Sequence, residues 1–124
     1  MVVHIKFIRD DSKIFCSSPF GSLTLKWIDE KPTLNKDYHV ELEINKTLFW
    51  NKDISLSEIN DFTINDENGT IVIIGQLESV EDDGYTVLRV GEDIIPVITK
   101  GDPYIIGSMI KITVDTIFAY PVSY

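Results

Sequence analysis

Cysteine is almost missing from this chain of 124 residues: Cys16 stands alone. No disulfide can close within the chain, so the fold must rest on packing, as is usual in a reducing compartment. Long apolar stretches are missing too. Runs such as Ile71 to Ile74 and Ile94 to Ile98 reach four or five residues, against the ~20 that a membrane-spanning helix requires. The opening Met1-Val-Val-His-Ile-Lys has no basic start ahead of a long apolar core, so it does not read as a secretory signal and the expectation is a cytoplasmic protein. Basic residues are scarce in one half only. Residues 1–60 carry 8 Lys/Arg and 9 Asp/Glu, whereas residues 61–124 carry 3 Lys/Arg and 11 Asp/Glu, so most of the net charge of −9 lies in the second half. A surface of that sign repels phosphate backbones and anionic headgroups, which argues against nucleic acid or membrane as direct partners. It attracts and steers a basic protein.

The familiar catalytic motifs are also lacking. Gly-x-Gly-x-x-Gly, Gly-x-x-x-x-Gly-Lys-Ser/Thr, Gly-x-Ser-x-Gly and His-Glu-x-x-His do not occur, which leaves phosphate cradles, nucleophile elbows and helical zinc pairs without candidates. His4, His39 and Cys16 are the only His and Cys residues; a zinc site would need all three and a carboxylate. Both histidines fall on the polar parity of strands, where a solvated imidazole is ordinary. Cys16 follows Phe15 in an apolar setting, which raises a thiol pKa and suits a packed small residue better than a nucleophile. Aligning the turn glycines with the calcium-loop template puts Ile64 and Ser79 in the first ligand position, which rules that template out. The reading is a non-enzymatic protein with no cofactor and no metal.

What the sequence does have is period-two alternation, the mark of half-buried strands. Val3, Ile5 and Phe7 share one face opposite His4 and Lys6. Leu23, Leu25 and Trp27 alternate with Thr24 and Lys26, and Val40, Leu42 and Ile44 with Glu41 and Glu43. Ile110, Ile112, Val114, Phe118 and Tyr120 share one parity. Turn dipeptides punctuate the middle of the chain. Asn68-Gly69, Asp83-Gly84 and Gly91-Glu92-Asp93 divide residues 62–98 into a four-stranded antiparallel meander, Asn-Gly being the strongest short hairpin signal. Pro96 cannot donate to a ladder, so its strand belongs at an edge or a bulge. Ser55 and Glu58 have capping-box spacing for one or two helical turns up to Ile59.

These elements define an all-β chain folded as one domain over residues 1–124, with at most one short helix. The architecture is a small antiparallel β-barrel, of the oligonucleotide- or oligosaccharide-binding type among other topologies, or a two-layer sandwich. Apolar residues on both parities from Ile71 to Ile74, followed by the bend that Gly75 permits, favour the barrel.

The feature that carries a functional expectation is the set of acidic hairpin tips: Asp66 and Glu67, Glu81, Asp82 and Asp83, Glu92 and Asp93, extended by Glu78 and Asp102. In a meander alternate turns share an end, so Asp66/Glu67 and Glu92/Asp93 should project together, opposite Glu81 to Asp83. Glu41 and Glu43 offer a second acidic face. Aromatic anchors could join such a surface: Phe49, exposed if its strand runs unbroken and buried if a bulge follows Asn45, and Tyr104 or Tyr124, which contact a partner or close the barrel end. Trp27 and Trp50 have core parity. The expected function is therefore a non-catalytic module that binds a basic protein. The alternatives are a small ligand- or glycan-binding barrel with a pocket between Trp27, Trp50 and Tyr85, or an auxiliary subunit of a larger assembly with a sizeable apolar patch.

The run from Tyr104 through Gly107, Ile110, Ile112, Val114 and Phe118 to Tyr120-Pro121, a glycine turn followed by alternating apolar residues and a terminal Tyr, resembles the closing strands of small cytosolic immunity proteins that bacteria use against their own polymorphic toxins. The resemblance covers about 18 residues. It implies an acidic, non-enzymatic protein that occludes the active site of a toxin, commonly a basic nuclease.

Overall fold

The computed structural model describes residues 1–10 and 12–122. Among them are twelve strands and no helix: β1 (Val2–Ile8), β2 (Lys13–Ser18), β3 (Gly21–Trp27), β4 (Asp37–Glu43), β5 (Leu48–Phe49), β6 (Ile54–Leu56), β7 (Thr63–Glu67), β8 (Thr70–Val80), β9 (Tyr85–Val90), β10 (Asp93–Lys100), β11 (Met109–Val114) and β12 (Phe118–Pro121). The expected barrel is present, and a second barrel-like sheet accompanies it. Strands β1-β2-β3-β12-β4 close into a five-stranded barrel, β4 returning to β1. The remainder forms a sheet in the order β5-β10-β9-β8-β11-β6, with β7 attached to β8. A bridge between Trp50 and Ile54 draws the two ends of that sheet together and nearly closes it. Both sheets are mixed rather than purely antiparallel, because β12 runs parallel to β3 and β5 parallel to β10.

Inward residues of the two sheets join one continuous cluster that includes Ile5, Leu23, Leu42, Ile64, Leu77, Leu88 and Ile112. Alternation explains it: Leu23, Leu25 and Trp27 are buried, as are Val40, Leu42 and Ile44. Two stretches depart from the simple parity. Phe7 is 57% exposed because a bulge at Lys6 shifts the β1–β2 register, so that Phe7 lies opposite Phe15 and turns outward. The run from Ile110 to Tyr120 is two strands in different sheets. Ile110, Ile112 and Val114 face the core of the second sheet, the chain breaks at Asp115, and Ile117 and Ala119 are the buried residues of the barrel segment, leaving Phe118 and Tyr120 half-buried.

The hairpins form where the turn chemistry places them. Asn68 and Gly69 have φ of 55° and 82°, the two left-handed residues that a tight hairpin needs. The meander, however, is not regular. Ile73 of β8 pairs with Ile64 of β7 on one edge and Ile112 of β11 on the other, while Gln76 pairs with Arg89 of β9 and Met109 of β11. Strands β7 and β9 therefore lie end to end along the same edge of the long β8. Gly75 sits at the junction, where a Cβ would meet the Arg89 carbonyl oxygen at 2.6 Å. Residues 55–59 are not helical. Ser55 and Leu56 pair with β11, and the Ser57 hydroxyl receives the Ile59 N–H at 3.0 Å, a local turn that takes the place of the capping box.

Candidate functional site

The acidic tips separate. Asp66 is half-buried and accepts the Thr24 hydroxyl at 3.2 Å, tying β7 to the barrel, while Glu67 is exposed beside the turn at the Thr70 end of β8. Glu92 follows a strand whose Arg89 pairs with Gln76, so the same register sets its turn level with about Ile73, roughly 10 Å of strand short of Thr70. Asp66/Glu67 and Glu92/Asp93 thus do not share an end, contrary to the meander expectation, because β7 and β9 share an edge. Glu81, Asp82 and Asp83 are exposed together at the far end of β8; the Asp83 carboxylate accepts the Tyr85 N–H at 3.0 Å. Glu78 is engaged elsewhere: its Oε1 takes the Arg89 guanidinium, with Nε at 3.1 Å. Asp102 is exposed in the loop after β10.

Glu92 and Asp93 instead meet the second acidic face. A groove of about 540 Å³ runs between β4 and β10, with Glu41, Glu43, Glu92 and Asp93 among its lining residues and Ile94, Pro96 and Tyr120 among its apolar ones. No Lys or Arg among the described residues lines it. Asp93 Oδ1 lies 3.0 Å from the Met1 amino nitrogen; Glu41 and Glu92 are exposed and Glu43 is half-buried. Burial first, and the neighbouring Glu43 carboxylate second, hold the Tyr120 hydroxyl above its ordinary pKa. The groove continues past Pro96 into a second depression of about 340 Å³ lined by Tyr85, Ile98 and Lys46. Ile94 is 53% exposed and Ile98 42%. The volume of the main groove is in the range of built ligand clefts.

The aromatic residues divide between core and rim. Phe49 is exposed although Leu48 and Trp50 on either side are buried, because a new strand starts after residue 47. The Lys52 amine lies 5.6 Å from its ring centroid. Tyr104 packs where the two ends of the second sheet meet: its ring meets Trp50 edge-on at 5.1 Å, and its hydroxyl donates to the Asn51 side chain. Trp50 is anchored from inside, its indole N–H donating to Thr99 Oγ1 at 3.0 Å, with Thr86 Oγ1 a further 2.9 Å away. Tyr124 lies outside the described residues. Trp27, Trp50 and Tyr85 do not form a common pocket, since each lines a different depression. Cys16 is fully buried and burial pushes its thiol up to about 12. His4 Nδ1 lies 2.6 Å from Asp37 on the barrel surface.

Sequence reasoning held the two halves of the groove apart. Glu41/Glu43 and Glu92/Asp93 are separated by about fifty residues, and only the packing of β4 against β10 brings them together. The signal that could have linked them is Pro96, which marks the β10 edge. No protein-family model, curated protein or solved structure matches this chain.

Proposed function

We propose that this chain is a non-catalytic binding module that docks a basic protein, in its most concrete form an inhibitor that covers the substrate-binding surface of a basic toxin such as a nuclease. The observation that carries the reading is the β4/β10 groove, a concave surface in which carboxylates from two distant parts of the chain surround exposed apolar side chains, with His39 and the Met1 amine as the basic groups and no Lys or Arg among the described lining residues. Lys or Arg side chains that otherwise engage substrate phosphate would pair with Glu41, Glu43 and Glu92, while Ile94 and Tyr120 supply apolar contact area. The exposed Glu81 to Asp83 tip adds long-range attraction that speeds encounter.

The test is affinity capture of the tagged protein at low salt, elution at high salt, and charge reversal at two places. Glu41→Lys with Glu92→Lys should abolish retention of a basic partner. Glu81→Lys with Asp83→Lys should slow association several-fold and leave the complex intact. A partner whose retention ignores both ionic strength and the groove substitutions would refute the reading.

A further inference from the structure

We infer that the partner enters the groove as an extended segment that adds a strand to the open edge of β10. This rests on the docking reading above and specifies how the partner is held. Strand β10 pairs with β9 from Asp93 to Ile98, but with β5 only at Thr99 and Lys100. The Thr99 N–H turns toward β9, donating to the Gly84 carbonyl at 2.9 Å, and the Lys100 carbonyl turns the other way to accept the Trp50 N–H at 3.1 Å. Peptide groups alternate sides along a strand, so Ile94, Pro96 and Ile98 present theirs to the side away from β9. No backbone group among the described residues bonds them there.

Three further features fit a strand. The lining of the groove takes Glu92 to Pro96 consecutively rather than every second residue; a ligand resting on a sheet face would meet alternate residues, whereas one at an edge meets successive ones. On the opposite wall, Val40 exchanges hydrogen bonds with Met1 at 2.8 and 3.1 Å, and by the same alternation the Leu42 peptide group faces the groove beyond the end of β1. Pro96 stands where its missing N–H breaks no ladder bond. From Ile94 to Ile98 the edge is about 13 Å long, room for a segment of about five residues.

The charge of the walls selects the occupant. A second copy of this chain would set Glu41, Glu43 and Glu92 against their equivalents, and like charges across an interface are strongly disfavoured. A helix has its own peptide groups satisfied and cannot pair with the edge. The fitting segment is extended, carrying Lys or Arg on one face toward the carboxylates and small apolar side chains on the other over Ile94 and Ile98.

The experiment titrates the full-length protein with the capped peptide Lys-Val-Lys-Val-Lys-Val-Lys, up to about 1 mM, while amide hydrogen exchange is followed by NMR. Strand addition predicts that exchange of the Ile94 and Ile98 amides slows at least ten-fold on binding. It also predicts that N-methylation of alternate peptide bonds weakens binding at least ten-fold, and that Glu41→Gln or Glu92→Gln weakens it up to about five-fold each at low salt. Equal binding of the N-methylated peptide with unchanged exchange at Ile94 and Ile98 would overturn strand addition and leave the docking reading intact, as would absence of peptide binding by a protein that still captures a salt-released basic partner. Edge protection by the peptide without any basic partner on capture would instead uphold the edge site and overturn the docking reading.

Discussion

Replacing Gly21 by Ala should loosen the seam between the closed barrel and the second sheet. At Gly21, φ is 144°, and an added Cβ would lie 2.1 Å from the Ile64 carbonyl oxygen and 2.5 Å from Asn65 Oδ1. The chain comes this close because the Ile64 N–H donates to the Phe20 carbonyl at 3.1 Å and draws β7 across the start of β3. Restoring ordinary contact at 3.4 Å requires a retreat of about 1.3 Å by backbone rather than by a pliant side chain. Overpacking of this kind costs about 1–3 kcal/mol, and the left-handed backbone conformation about as much again, so a loss of about 4 kcal/mol is expected. With an unfolding entropy near 2.1 cal/mol/K per residue, about 0.26 kcal/mol/K for this chain, that is a fall of about 15 °C in Tm. Gly69→Ala is the control: φ there is 82° and nothing lies within 4 Å, so only the backbone term remains, about 1 kcal/mol or ~4 °C. Urea denaturation at 25 °C, fitted with a common slope, measures both. If Gly21→Ala falls within 1 kcal/mol of Gly69→Ala, β3 and β7 are not clamped at this point and the steric reasoning is wrong.

The Thr99→Val variant keeps side-chain shape but leaves the buried Trp50 indole N–H without its acceptor, which should cost about 2 kcal/mol, or ~8 °C in Tm; a loss under 0.5 kcal/mol would show that the indole finds another partner. The Cys16 thiol is pushed up by burial from its ordinary 9.0 to about 12, so its contribution is fully present below pH 9. As pH climbs from 9 toward 12 the unfolded chain ionises while the folded one does not, and stability should fall by up to about 1.4 kcal/mol per unit. A parallel decline in Cys16→Ala would assign the loss to other groups. For the same reason native Cys16 should resist thiol-specific labelling at pH 8 by at least a hundred-fold relative to the urea-unfolded chain, and comparable rates would place the thiol at the surface.

Much of the fold is legible in the sequence because strand parity and turn chemistry are local signals. Leu23, Leu25 and Trp27 announce their burial through alternation, and Asn68-Gly69 its hairpin through the tolerance of both residues for positive φ. What escapes is non-local. Nothing near Lys6 signals the bulge that sends Phe7 outward, since the bulge follows from the register against β2. The continuous parity from Ile110 to Tyr120 hides a transfer between sheets, as the residues between Val114 and Phe118 carry neither Gly nor Pro to betray a break. Likewise Glu92 and Glu41 are each recognisable as solvated carboxylates, and the groove between them depends on how β10 packs beside β4. The meander predicted the hairpins correctly and the placement of their tips incorrectly, because turn residues specify which strands are joined and not which edge of β8 each one occupies.

The position of β12 has a bearing on how the molecule is made. The barrel takes four of its strands from residues 2–43 and its closing stave from residues 118–121. During synthesis, at ~5–20 residues per second, β3 and β4 leave the ribosome with the edges that β12 will cover still bare, and they stay bare until the whole second sheet has been translated. The closed barrel is therefore a late, long-range event, slow by its topology, and the nascent chain passes through a stage with adhesive strand edges. A protein assembled this way is expected to depend on chaperones during translation far more than its size suggests, and to tolerate interruption near its last strand poorly.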